Sequence, residues 1–165
     1  MHGANTRTSG RAPTRGRAPT RANVGFELAK ASQRWNALLQ AEFERRGFGE
    51  VRASYGSVLL PLFEEDGLRM GELAGRARLT KQTITTMVRL MERAGLVERD
   101  ADPEDGRATR VHLTARAWEF GPVAAEVVEE LEGRVMGRLG RRGYRALRDG
   151  LLEIMEMEET DDGFK

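Results

Sequence analysis

The chain contains no cysteine. That excludes disulfides, thiolate nucleophiles, thiol-based redox sensing and metal sites built on sulfur. Histidine is nearly absent too: His2 and His112 are the only two, so a metal centre would have to rest on carboxylates and none is expected. No apolar run approaches the roughly 20 residues that cross a bilayer. The N-terminus also lacks the apolar stretch of a signal peptide, and the expected location is cytoplasmic, without a membrane partner. No phosphate loop, nucleophile elbow or metal-ligand spacing is present. The neighbouring acids Glu64, Glu65 and Asp66 fall at an expected helix end, where carboxylates are ordinarily solvated. The Gly133 to Gly137 spacing is flanked by Arg134 and Arg138, which removes its likeness to a membrane-helix contact. Neither an enzyme nor a cofactor is expected.

What is present is enough for one core: 165 residues, 39% of them hydrophobic. The formal charge of +1 hides an uneven distribution. Residues 1–22 hold five arginines and no acid, and carry the repeat Arg-Ala-Pro-Thr at 11–14 and again at 17–20. This composition buries almost nothing and reads as a disordered basic tail. Residues 69–93 hold Arg69, Arg76, Arg78, Lys81, Arg89 and Arg93 against Glu72 and Glu92, while residues 126–162 hold six arginines against eleven acids. A basic segment on an acidic body points to a directed patch for a polyanion.

Helical periodicity begins at Phe26 and continues through Leu28, Ala29, Ser32, Trp35, Leu38, Leu39 and Phe43, with Gly47 as the stop. A second helix is predicted over about 53–65, burying Tyr55, Val58, Leu59 and Leu62, with Pro61 as a potential kink. Leu68-Arg69-Met70 leads to a compact helix from about Glu72, with Leu73, Ala74 and Ala77 inward, and Leu79-Thr80 forms the turn into the next.

That next helix opens on the stretch Thr80-Lys81-Gln82-Thr83-Ile84-Thr85-Thr86, although threonine is a mediocre helix former. Thr80 is placed to cap it. Ile84, Val88 and Met91, with Met87 beside them, form an apolar stripe. Gln82, Thr85, Thr86, Arg89 and Arg93 lie opposite, where short polar groups suit base edges and guanidinium groups suit phosphates. Two short helices joined by a tight turn make a helix-turn-helix. After Gly95, two β-like runs flank Pro103-Glu104-Asp105-Gly106, so a β-hairpin follows and completes a winged helix. Arg107 at the hairpin tip and Arg110 on the returning strand suit a minor groove and its phosphates.

Thr114 is placed to cap another helix, running with one or two breaks to about Gly140 and burying Trp118, Phe120, Val127, Val128, Leu131, Val135 and Leu139. Pro122 lies near its start. A last helix from about Gly143 is expected to bury Tyr144, Leu147, Leu151, Ile154 and Met155. These terminal helices exceed what a small winged helix needs, and their spare apolar faces suggest a second copy of the chain.

Over residues 26–157 the sequence resembles the MarR family of winged-helix transcriptional regulators. The likeness is carried by Leu73-Ala74, Leu79-Thr80, Ala94-Gly95-Leu96-Val97, the wing pattern from Asp102 to Arg107, and Leu113-Thr114. Three positions depart from the family pattern: Arg78 where glycine is frequent, Gly106 where a basic residue is common, and Ala117 in place of glycine. The resemblance implies a mostly α fold with a small β-hairpin wing, a winged helix-turn-helix with N- and C-terminal dimerisation helices. The implied organisation is a tail at 1–22, an N-terminal dimerisation helix at 23–50, a DNA-binding domain at 51–114, C-terminal dimerisation helices at 115–158 and a frayed end at 159–165.

The implied function is that of a homodimeric repressor bound to double-stranded DNA at a near-palindromic operator and released by a small aromatic ligand. The implied contacts come from Thr80, Lys81, Gln82, Thr83, Thr85, Thr86 and Arg89 in the recognition helix, and from Asp105, Arg107 and Arg110 in the wing. Within the wing, Asp105 braces and Arg107 reaches the minor groove. Trp35, Phe43, Tyr55 and Met87 are candidates to line the ligand crevice. The family's thiol-oxidation branch is excluded by the missing cysteine. A different use of the same fold, for contacts with protein or RNA, would show neither steep salt dependence nor preference among duplex sequences.

Overall fold

The computed structural model describes residues 23–157: α1 (Val24–Arg45), a 3-10 turn (Ala53–Tyr55), α2 (Gly56–Glu64), β1 (Leu68–Arg69), α3 (Met70–Arg76), α4 (Lys81–Arg93), β2 (Val97–Ala101), β3 (Thr109–Leu113) and α5 (Ala115–Glu156). The basic tail at 1–22 and the expected frayed end at 159–165 lie outside these residues. The chain divides into two units after Arg34. In the described part of the first, the Asn23 side chain accepts a hydrogen bond from the Phe26 N–H at 2.9 Å, and Lys30 lies 5.8 Å from the centre of the Phe26 ring.

In the second unit the core draws on all the helices and the sheet. Leu39 and Phe43 of α1 join Val58, Leu59 and Leu62 of α2, Leu73 of α3, Ile84, Val88 and Met91 of α4, Val111 of β3, and Phe120, Val127 and Leu131 of α5. Phe43 meets Phe120 edge-on, with centroids 4.8 Å apart. Arg116 at the start of α5 donates from Nε to Glu50 at 2.7 Å, and its guanidinium lies 3.9 Å over the Phe48 ring. Arg46 reaches Glu126 at 2.9 Å and Glu130 at 2.5 Å, which fixes the end of α1 on α5.

The hairpin is part of a larger sheet. Leu68 and Arg69 pair antiparallel with β3, so the strand order is β1-β3-β2. α3 begins at Met70, two residues before the sequence suggests, and Glu72 accepts the Arg69 N–H at 2.9 Å. Pro61 sits inside α2 and Pro122 inside α5, and neither ends its helix. The break in α5 is at Gly140, whose φ of 69° and ψ of 166° are non-helical. Phe120, Val127 and Leu131 are buried as expected. Trp118, Val128, Leu139, Leu147, Leu151, Ile154 and Met155 are not: a single chain leaves them exposed, Trp118 while its ring meets Phe63 of α2 edge-on with centroids 5.5 Å apart.

Three helices end in the same motif. After α1, α3 and α4, the residue beyond the cap takes positive φ: Gly47 at 83°, Arg78 at 51° and Gly95 at 70°. In each case the next N–H closes back five residues, from Phe48 to Phe43, Leu79 to Ala74 and Leu96 to Met91. Glycine adopts this backbone without a Cβ penalty, whereas arginine does not. We therefore expect Arg78→Gly to raise unfolding stability by about 0.5–1 kcal/mol in urea titrations, and Gly95→Ala to lower it by a similar amount.

Candidate nucleic-acid interface

The recognition helix answers the question its threonines raise. Thr80 Oγ1 caps α4 by accepting the Thr83 N–H at 3.1 Å, and its hydroxyl lies 2.8 Å from that of Thr83. Thr85 and Thr86 donate back to the carbonyls of Lys81 and Gln82, at 2.7 and 3.1 Å. All four hydroxyls are thus satisfied within the helix, and their remaining lone pairs and methyl groups are what they offer outward. Ile84, Val88 and Met91 are fully buried on the opposite side. Lys81, Gln82, Thr83, Thr86, Arg89 and Arg93 are exposed, and Thr85 is half-buried. The Gln82 amide has no hydrogen-bond partner among the described residues, unlike the three threonine hydroxyls of α4.

The arginines sort into two sets. Arg69, Arg76, Arg99 and Arg110 are held in ion pairs. Arg99 binds Glu92 of α4 through two hydrogen bonds of 3.1 and 2.7 Å, tying β2 to the recognition helix. Arg78, Lys81, Arg89, Arg93 and Arg107 have no acidic partner among the described residues. The cationic charge of the second set is therefore unneutralised at the surface, as anion recognition requires.

Within the wing, the bracing role falls to Asp102 instead of Asp105. Asp102 is 2% exposed, and its Oδ2 accepts from Arg69 Nε at 2.6 Å and from Arg110 Nε at 2.8 Å. Its Oδ1 accepts the backbone N–H of Glu104 at 2.8 Å and of Asp105 at 3.2 Å, starting the wing turn. Arg69 above all holds the carboxyl well below the usual carboxylate range, against the opposing effect of burial. Asp105 shapes only the tip, accepting the Arg107 N–H at 3.0 Å. Arg110 corrects the expectation of a groove-facing residue: besides Asp102 it donates to the Gly67 carbonyl at 3.1 Å, so it is turned inward. Arg107 stays exposed at the tip. The sequence signal for Asp102 was its place directly before Pro103, where an aspartate commonly caps a turn.

The candidate crevice residues separate. Phe43 and Tyr55 are core side chains, 5% and 4% exposed, so they line no open surface in the single chain. Trp35 and Met87 are half-buried and pack against the core.

A helix-turn-helix followed by a β-hairpin, with a short strand before it completing a three-stranded sheet, defines a winged-helix protein. Residues 54–109 match the family model for MarR, and this winged helix is a MarR-family domain. The curated relative "HTH-type transcriptional repressor Rv2887" of Mycobacterium tuberculosis is 38% identical over 78 residues, 47% of this chain and 56% of the relative. The chain thus spans little more than half that relative's length. Among solved structures, the repressor CouR bound to a 23-mer DNA duplex aligns with a TM-score of 0.70 at 23% identity, covering 84% of this chain and 99% of CouR. PcaV of Streptomyces coelicolor, in complex with its natural ligand, aligns with a TM-score of 0.69 at 20% identity, over 85% and 97%. At these identities both likenesses speak for the fold.

Because the folded-state pKa of Asp102 is depressed, the stability it contributes is fully present above its ordinary value of 3.8 and is lost as pH falls through the lower folded value. Asp102→Asn is expected to lower the thermal midpoint by several degrees at neutral pH, with the deficit constant down to about pH 5 and shrinking in more acid solution. Circular-dichroism melts across pH test this. An equal deficit at every pH would mean that the carboxylate charge is not what matters.

Proposed function

We propose that the protein is a homodimeric, sequence-specific DNA-binding transcriptional regulator, acting as a repressor on a near-palindromic operator in the cytoplasm. The observation that carries this reading is the sorting of arginines: Asp102, Glu65 and Glu92 neutralise those that hold the fold, while Lys81, Arg89, Arg93 and Arg107 are left exposed on the recognition helix and wing tip. Lys81, Arg89 and Arg93 bind phosphates, and Arg107 enters the minor groove. Gln82 is the principal base reader, through its unengaged amide. Thr83, Thr85 and Thr86 contribute acceptor lone pairs and methyl groups, and Thr80 acts through its cap.

Dimerisation supports the same reading. Leu147, Leu151 and Ile154 are 45%, 39% and 42% exposed in the single chain, and they recur at helical spacing on one face of α5. A second copy covers this face, so that 23–50 and 115–158 serve as dimerisation segments around the DNA-binding segment 51–114. Release by a small aromatic ligand fits Trp35 and Met87, the two crevice candidates with accessible surface, while Phe43 and Tyr55 back them from the core.

Fluorescence anisotropy against duplex from the region flanking the gene, with unrelated duplex as control, tests the reading across a salt series. Tight binding that prefers one sequence and weakens steeply with salt is expected, and Arg107→Ala should cost about 1–3 kcal/mol with the fold intact. Equal, weak binding to every duplex selected from a random pool would instead favour a winged helix used on protein or RNA.

A further inference from the structure

The acidic total of residues 126–162 conceals a segregated pattern. Every acid of that stretch lies at Glu132 or before, or at Asp149 or after, and Arg134, Arg138, Arg141, Arg142, Arg145 and Arg148 occupy the interval between. None of the six has an ion-pair partner among the described residues. A run of this kind stays unneutralised unless something outside the described residues supplies the negative charge.

The break at Gly140 gives part of this run a concave shape. Beyond it, Arg141, Arg145, Arg148 and Leu152 fall at i, i+4, i+7 and i+11, on one face of the second helical segment. Together with Tyr144 from that segment and Met136 from before the break, they line a groove of about 580 Å³. One acid, Asp149, also borders it. Partial burial first, and then its hydrogen bond to the Glu132 carboxylate, push the Tyr144 phenol above its ordinary range. Three guanidinium groups and a phenol therefore surround a space that Met136 and Leu152 floor with apolar surface.

We propose that this groove is a binding site for a small organic anion with an apolar body, an aryl or acyl phosphate or carboxylate. Arg145 and Arg148 grip the charged end in the forked geometry that guanidinium groups offer to oxyanions, and Met136, Tyr144 and Leu152 take the apolar part. The volume suits a molecule of that size. The site also survives dimerisation as proposed above, because Leu147, Leu151 and Ile154 lie about 120° round the helix from the Arg141, Arg145 and Arg148 face. It depends neither on operator binding nor on the crevice near Trp35.

Isothermal titration of the full chain with phenyl phosphate tests the site, with inorganic phosphate and phenol as the charge-only and ring-only controls. Phenyl phosphate should bind more tightly than either control. The double variant Arg145→Gln, Arg148→Gln should weaken it by about tenfold or more, while Arg134→Gln, Arg138→Gln, which lies in the same arginine run but outside the groove, should leave it unchanged. Circular dichroism checks that both variants fold. Four results would overturn the proposal: no binding to the folded wild type, as when a second copy fills the groove; inorganic phosphate binding as well as phenyl phosphate; an equal loss in both double variants, the mark of a diffuse surface for a polyanion; or no loss in the groove variant, which would put the ligand elsewhere.

Discussion

The arrangement of the wing depends on one carboxylate. Arg69 and Arg110 are direct cross-strand partners on β1 and β3, and two guanidinium groups facing each other across a ladder repel. Asp102 removes that conflict by accepting from both through the same oxygen, while its other oxygen collects two backbone N–H groups of the turn. A buried charge is tolerated only when it is paired and hydrogen-bonded, and Asp102 meets that condition with four donors. The two-residue strand β1 is thereby secured to a hairpin that is otherwise distant in sequence. β1 leads directly into α3, so the start of the helix-turn-helix is held by the same node that starts the wing.

This explains why the interface separates structural from available charge. An arginine near an acid in the fold is occupied, and sequence alone does not show which arginines those are. Counting residues 69–93 finds a local positive excess, yet Arg69 and Arg76 are both engaged by acids from outside that window, Asp102 and Glu65. The available patch is smaller than the count suggests and lies on α4 and the wing tip. The same reasoning exchanges the roles of Asp102 and Asp105. Linear spacing puts Asp105 two residues from Arg107, but the long-range pairing of β1 with β3 decides which aspartate meets a guanidinium.

The elements themselves were legible where local chemistry and periodicity agree. The stripe Ile84, Val88, Met91 announces α4, and Thr80 and Thr114 both cap the helices they precede, accepting from Thr83 and Ala117. The hairpin around Pro103 to Gly106 was equally readable from its turn residues. What the linear pattern hides depends on contacts distant in the chain: β1 is too short for any periodicity, and Phe43 and Tyr55 look the same in sequence whether they line a crevice or fill a core. Pro61 does not break α2, because it occupies a buried position at which the packed core offsets one missing hydrogen bond.

The exposed half of α5 shows the same limit from the opposite direction. Periodicity identifies Leu147, Leu151 and Ile154 as a face to be buried, but it cannot say by what, and a single chain leaves them open. Spreading roughly 1.5–3 kcal/mol of transfer free energy per large apolar side chain over such a face gives a strong drive to association. The arginine run beside it opposes close approach of a like-charged neighbour, so any partner must either align its own acidic stretch with the run or leave it to solvent and small anions. Hydrophobic burial and charge thus act on different sides of one helix: the first favours association, and the second restricts how a partner can dock. The bend at Gly140 lets both requirements be met, because it sets the direction of the basic face independently of the helix that packs on the core.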